Sequence, residues 1–186
     1  GYGRSYMTAL REHWGEYDTE DAVSGARALI DQDLADPDRI VIKGGSAGGF
    51  TVLNALVHHP GVFRAGLCLY GVTNLFSLAT DTHKFEARYL DIMVGMLPKT
   101  GARYQAWSPF FHADKIRDPV AVFQGTEDQV VPPDQAESIV QILQRNDVPH
   151  IYRLYEGEGH GWRKTETIVS FYDDVDRFLK QHVLIG

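Results

Sequence analysis

The stretch Ile40-Val41-Ile42-Lys43-Gly44-Gly45-Ser46-Ala47-Gly48-Gly49-Phe50 decides how this chain is read. An apolar, β-branched run leads in and the helix-like segment Phe50 to His58 leads out, so the local order is strand, tight turn, helix. Ser46 stands at the turn, within Gly44-x-Ser46-x-Gly48. A residue at such an elbow holds strained backbone, and glycines at 44 and 48 leave out the side chains that would keep strand and helix apart. The turn lifts the hydroxyl above the end of a sheet, which makes Ser46 the leading candidate nucleophile. A bare G-x-S-x-G match recurs by chance in glycine-containing loops, and it is the flanking strand and helix that give this one weight.

Outward from the elbow, strands and helices alternate. Asp18 to Asp33 carries Ala22, Val23, Ala26, Leu29 and Ile30 three and four apart, the spacing of an amphipathic helix. Asp36-Pro37-Asp38 is a turn and Arg39 to Lys43 the first strand. The helix from Ala47 to His59 stops at Pro60-Gly61, and the apolar run Ala65 to Tyr70 predicts a strand covered on both faces. Val72 to Phe111 mixes aromatics with Gly95, Pro98, Gly101 and Pro109; it predicts short helices joined by loops, placed to face a substrate. Val120 to Gln124 is a third strand, followed by a helix from about Pro133 to Arg145. His150 to Tyr155 is a fourth, and its mixed polarity places it nearer an edge. A last helix spans about Lys164 to His182, with Ile168, Phe171, Val175, Phe178 and Leu179 on one face. The alternation predicts an α/β fold: a mostly parallel sheet with right-handed crossovers and helices on both faces.

Composition narrows the function. With 186 residues, 44% of them apolar, the chain suits a single domain over 1–186. Eighteen Lys plus Arg against 25 Asp plus Glu give a net charge of -7, and no window concentrates basic residues, so nucleic acid is not the expected partner. No stretch approaches the ~20 apolar residues of a membrane helix, and Gly1-Tyr2-Gly3-Arg4 lacks a signal-peptide core. The expectation is a soluble, cytoplasmic protein. Cys68, the single cysteine, falls in the apolar run and reads as a buried strand residue in a reducing compartment. Without a cysteine pair or a His-x-x-x-His helix, neither a metal nor a cofactor is expected. The absence of an initial methionine suggests a processed chain or a piece of a longer one.

In a doubly wound sheet, reactive residues collect on loops beyond the carboxyl ends of the strands. After the third strand comes Gly125-Thr126-Glu127-Asp128-Gln129-Val130-Val131-Pro132, and after the fourth Glu156-Gly157-Glu158-Gly159-His160-Gly161-Trp162. With Ser46 these give the chain order serine, acid, histidine. An alkyl hydroxyl is too weak an acid to attack a carbonyl at neutral pH, so His160 would take its proton while Asp128 holds the imidazole tautomer. Alone, an Asp after a strand is usually a solvated turn residue and a His between glycines is unremarkable; their joint occurrence is what counts. Glu127 is the rival acid. His58 and His59 sit at a helix end, where the dipole accounts for them, and His13, His83, His112, His150 and His182 follow no ligand spacing.

On these residues the chain resembles the catalytic domain of the prolyl oligopeptidase family of serine peptidases, nearest to its acylaminoacyl-peptidase and dipeptidyl-peptidase-like branches. The resemblance rests on Gly1-Tyr2-Gly3-Arg4, Trp14-Gly15 with Asp18 and Asp21, the elbow around Ser46, Trp107-Ser108-Pro109, Gly125 with Asp128 and Pro132, and Gly159-His160-Gly161. It implies an α/β-hydrolase fold, here the C-terminal part of the sheet without the N-terminal strands. It also implies Ser46 as nucleophile, His160 as general base, Asp128 as its orienting acid in place of Glu127, and a short peptide cleaved through an acyl-enzyme. The amide of Ala47 would be one oxyanion donor, and Val72, Leu75 and Val131 fall where the family lines its specificity pocket, although core packing explains apolar residues there equally well. The family supplies a second oxyanion donor from an upstream segment and carries a β-propeller, normally N-terminal, which are the partners expected in a complete protein. The 186 residues alone are then expected to be a weak or inactive hydrolase. Oligomeric state stays open, a homo-oligomer included.

Two other readings compete. A carboxylesterase-type hydrolase would use the same three residues on esters, and a catalytically inert fragment or interaction module would keep the elbow without the chemistry.

Overall fold

The computed structural model describes residues 1–81 and 88–185; His83 and part of the insertion between 72 and 111 lie outside them. Two helices come first, α1 (Gly3–Met7) and α2 (Tyr17–Asp31). The first strand starts two residues later than the sequence suggests. Arg39 belongs to a 3-10 turn, Pro37–Arg39, whose start is held by the Asp36 carboxylate accepting the Asp38 amide at 3.0 Å. β1 is Val41–Gly45, and α3, the helix after the elbow, is Ala47–His58. Then come β2 (Ala65–Leu69), the short helices α4 (Leu75–Asp81), α5 (Tyr89–Met93) and α6 (Gly101–Trp107), and β3 (Val120–Gly125). The chain continues through α7 (Pro133–Arg145), β4 (His150–Tyr155) and α8 (Thr165–Leu179).

All four strands are parallel, in the order β1-β2-β3-β4. Successive side chains of a strand point to opposite faces, and both faces are covered. Cys68, Val120 and Val122 pack in one cluster with Val52, Leu53 and Leu56 of α3, Ile139 and Leu143 of α7, and Val23 of α2. Leu67, Leu69, Ala121 and Phe123 pack in another with Phe171 and Phe178 of α8. Burial on both sides explains why β2 and β3 read as unbroken apolar runs, and Cys68 is buried as expected. β4 lies at an edge as its polarity implied, with Leu154 43% exposed.

Other boundaries and faces also differ from expectation. α2 ends at Asp31 because the chain turns at Asp33, whose φ is +55°. Leu29 of that helix is exposed; with Ala22 and Ala26 it lines a groove shared with Ile40, Val41, Ile42 and Phe63 along the outer edge of β1. α8 buries Thr167, Phe171, Asp174 and Phe178, so the inward position of its first turn is Thr167 and Ile168 is 38% exposed. The helix then passes into a π-type turn at Lys180–Leu184 instead of stopping at His182. Among the described residues no helix is long and apolar enough to cross a membrane.

A third apolar cluster sits beyond the carboxyl ends of the strands. It joins Trp14 and Phe50 to Val72, Leu75, Leu90, Val94, Tyr104 and Val131, so the short helices after β2 form a cap over the end of the sheet where the elbow lies.

Candidate active site

The elbow is built by close backbone approach. Ser46 adopts φ 56° and ψ -120°, a left-handed conformation costly for a residue with a side chain. Its amide donates to the Leu69 carbonyl of β2 at 2.9 Å, and its carbonyl accepts the Phe50 amide of α3 at 3.1 Å. The turn is thereby fixed to both elements it joins. A Cβ on Gly44 would lie 2.3 Å from the Gly48 carbonyl oxygen, whereas a Cβ on Gly48 would meet nothing within 4 Å. The expectation that both glycines leave out obstructing side chains therefore holds for Gly44 and fails for Gly48, whose backbone is the obstruction. Gly49 performs the second close contact, since its Cβ would fall 2.6 Å from the Gly71 Cα.

Ser46, Asp128 and His160, from three separate loops, meet above the sheet. His160 Nδ1 is 2.8 Å from Asp128 Oδ2, and His160 Nε2 is 2.9 Å from Ser46 Oγ. An ionised carboxylate only accepts, so Nδ1 carries the proton and donates to Asp128, leaving Nε2 to accept from the serine hydroxyl. Asp128 is 4% exposed. Its Oδ1 accepts the Val130 and Val131 amides at 2.9 and 3.0 Å, and its Oδ2 also accepts Gln124 Nε2 at 3.1 Å. Burial by itself would push this carboxyl up, but the hydrogen bonds from His160, Val131 and Val130 outweigh it and hold it below the ordinary value. Glu127 is exposed, and the structure places Asp128, not its neighbour, beside the imidazole.

Other residues meet this group without having been singled out. Tyr70, with φ +38°, packs its ring against His160 at a centroid distance of 4.6 Å and against Trp162 at 5.4 Å. Its amide donates to Phe123 across the end of the sheet. The signal in the sequence was a bulky aromatic directly before Gly71 at a strand end, which is easily read as one more buried strand residue. Gln124 was read only as the end of a strand, although a fully buried amide beside a carboxylate is a support for it. Ala47 is the first residue of α3, where opening amides have no acceptor within the helix. Val72, Leu75 and Val131 come together in the cap cluster and are 3%, 0% and 1% exposed. His58 and His59 stand at the far end of α3 from Ser46, with His59 Nε2 2.7 Å from the Glu20 carboxylate.

With that geometry in place, residues 1–185 match the prolyl oligopeptidase family. The chain belongs to the prolyl oligopeptidase family. It is 28% identical to dipeptidyl aminopeptidase BIII of Pseudoxanthomonas mexicana over 97% of its own length and 27% of that enzyme's. Among solved structures, a Mycobacterium tuberculosis puromycin-hydrolyzing peptidase is 43% identical with a TM-score of 0.95, covering 98% of this chain and 28% of the other. A puromycin hydrolase is 39% identical with a TM-score of 0.95 over the whole chain and 28% of the neighbour. The chain thus spans just over a quarter of the length of each of these relatives.

Several of the residues that carried the likeness to this family act on the scaffold. Asp18 accepts the Gly15 amide at 2.6 Å and the Thr51 hydroxyl at 2.5 Å, tying α2 to the elbow helix. Ser108, fully buried, accepts the Leu75 amide at 2.9 Å and donates to the Tyr104 carbonyl at 2.6 Å. It therefore fixes the start of α4, and with it the position of Leu75, to α6.

Proposed function

We propose that this chain carries the acyl-transfer centre of a serine peptidase that cleaves short peptides, with Ser46 as nucleophile, His160 as general base and Asp128 as the acid that orients it. The observation that carries the reading is the imidazole of His160 bridging Ser46 Oγ at 2.9 Å and Asp128 Oδ2 at 2.8 Å. In the first step Ser46 Oγ attacks the scissile carbonyl carbon while its proton passes to His160 Nε2. The Asp128 carboxylate stabilises the imidazolium without taking its proton. Charge then develops on the substrate oxygen, for which the Ala47 amide at the start of α3 is a donor and the helix dipole is favourable. Collapse of the tetrahedral species expels the amine, which leaves with the proton from His160. Water, activated by the same imidazole, hydrolyses the ester on Ser46 and restores the hydroxyl.

The relatives' names, dipeptidyl aminopeptidase and puromycin-hydrolyzing peptidase, support a small amide substrate. Val72, Leu75 and Val131 would contact the side chain preceding the scissile bond from the cap cluster. Matched amide and ester substrates assayed on the full-length protein test the proposal. Ser46-dependent hydrolysis of the amide is expected, and turnover of esters alone would contradict it.

A further inference from the structure

His160 stands at the tip of a loop that folds around a buried carboxylate. Glu158 is 2% exposed, and its two carboxylate oxygens accept the backbone amides of Arg163 at 3.0 Å and Lys164 at 2.9 Å. Thr167, buried at the start of α8, also favours its charged form. Those partners lie beyond His160 in the chain, so the side chain spans the base of the loop that presents the imidazole. The Glu158 backbone is fixed on the other side: its carbonyl accepts the Glu127 amide at 2.8 Å, one residue before Asp128. The contact is close, because a Cβ on Gly125 would fall 2.3 Å from that carbonyl oxygen. Between these anchors Gly159 and Gly161 pair across a bridge, with the Gly161 amide 3.0 Å from the Gly159 carbonyl.

A carboxylate taken out of water is costly unless hydrogen bonds compensate it. Burial would raise the Glu158 carboxyl, but the Lys164 and Arg163 amides and the Thr167 hydroxyl hold it below its ordinary value. The group thus stays charged and satisfied at neutral pH. Its position gives it a geometric consequence, since it fixes residues 163 and 164 relative to the strand end that carries Asp128. His160 must satisfy two distances at once, to Asp128 and to Ser46, and a loop free to shift would lose one of them.

We propose that Glu158 is a positioning residue for His160, acting through the closed loop between 158 and 164 and making no contact with substrate. The proposal rests on the reading of His160 as the general base. A displacement of a reacting group by about 1 Å can cost roughly 10²-fold in rate, and a positioning role should appear in kcat and spare substrate binding.

The test uses the full-length protein with a chromogenic peptide, rates being normalised to folded protein, alongside the rate at which a fluorophosphonate labels Ser46. Glu158→Gln is expected to lower kcat and the labelling rate together by about 10- to 100-fold, with KM within about threefold of wild type. Glu158→Ala, which removes both acceptors, should lower kcat further. Thr167→Val removes the hydroxyl that favours the charged carboxylate and leaves the carboxylate itself, so it provides a variant that folds if the Glu158 variants do not, with an expected loss of about 3- to 10-fold in kcat. Unchanged kcat in the folded Glu158→Gln protein, or in Thr167→Val where that variant alone folds, would overturn the proposal. Ser46→Ala and His160→Gln run beside them: if either keeps wild-type activity, the reading of the site fails and takes this proposal with it.

Discussion

The Cβ that Gly44 lacks would lie 2.3 Å from the carbonyl oxygen of Gly48, so the strand that leads to Ser46 can approach its helix only with no side chain at that position. Gly44→Ala must therefore separate β1 from α3 or distort the turn at Ser46, and overpacking of this kind costs about 1–3 kcal/mol or more. Gly48→Ala meets nothing within 4 Å and should leave thermal stability within about 0.5 kcal/mol of wild type. Denaturant unfolding of the two variants side by side checks this. Equal losses would mean that the elbow is not limited by the contact at Gly44.

Asp128→Asn should fold and lose most of its activity. An asparagine can turn its oxygen toward the Val130 and Val131 amides, which leaves its NH₂ facing His160 Nδ1 and favours the wrong imidazole tautomer. The expected loss is about 10⁴-fold in kcat, while Glu127→Gln, at an exposed neighbour, should stay within a few-fold of wild type. Steady-state kinetics on both proteins decides between the two acids, and a larger loss in Glu127→Gln would reverse the assignment.

Much of this was legible because the sequence states it locally. The elbow is contiguous, the Asp128 and His160 loops follow β3 and β4, and Ser46, Asp128 and His160 all lie beyond the carboxyl ends of strands, where doubly wound sheets gather their functional groups. What was not legible depends on contacts between distant segments. Tyr70 takes a left-handed φ against His160, and Gln124 supports Asp128 from within a strand that reads as plain core. At α8 the apolar count favoured Ile168, yet the buried position is Thr167, because the Glu158 carboxylate stands at that end of the helix. A periodicity argument weighs hydrophobicity and does not see a polar partner supplied from another loop.

His58 makes stability depend on pH in a defined window. Its ring packs on Trp107 at 4.7 Å, and burial first, then the charges of His112, Lys115 and His59, lower it to about 4. The unfolded chain takes up this proton near pH 6.5 and the folded chain only near 4. Stability is therefore fully present above about pH 6.5 and falls as pH drops toward 4. His58→Phe, which keeps an aromatic against Trp107, should flatten the fall in Tm between pH 6.5 and 4. An unchanged slope would show that other groups govern acid sensitivity.

Val72, Leu75 and Val131 are each at most 3% exposed, so truncating them tests both core and pocket. Leu75→Ala should destabilise the protein by about 2–5 kcal/mol as a cavity substitution. If the three residues also line the substrate pocket, Val131→Ala should shift relative kcat/KM between substrates with large and small side chains before the scissile bond, by about 10-fold. Stability loss with no change in preference would assign them to packing alone.

We propose that Ser46 is the residue acylated, through His160. Mass spectrometry of the full-length protein after reaction with a fluorophosphonate tests it most directly. One adduct is predicted, mapping to Ser46, absent in Ser46→Ala and formed slower by orders of magnitude in His160→Gln. An adduct on a different residue, or peptide turnover at wild-type rates in Ser46→Ala, would contradict the account.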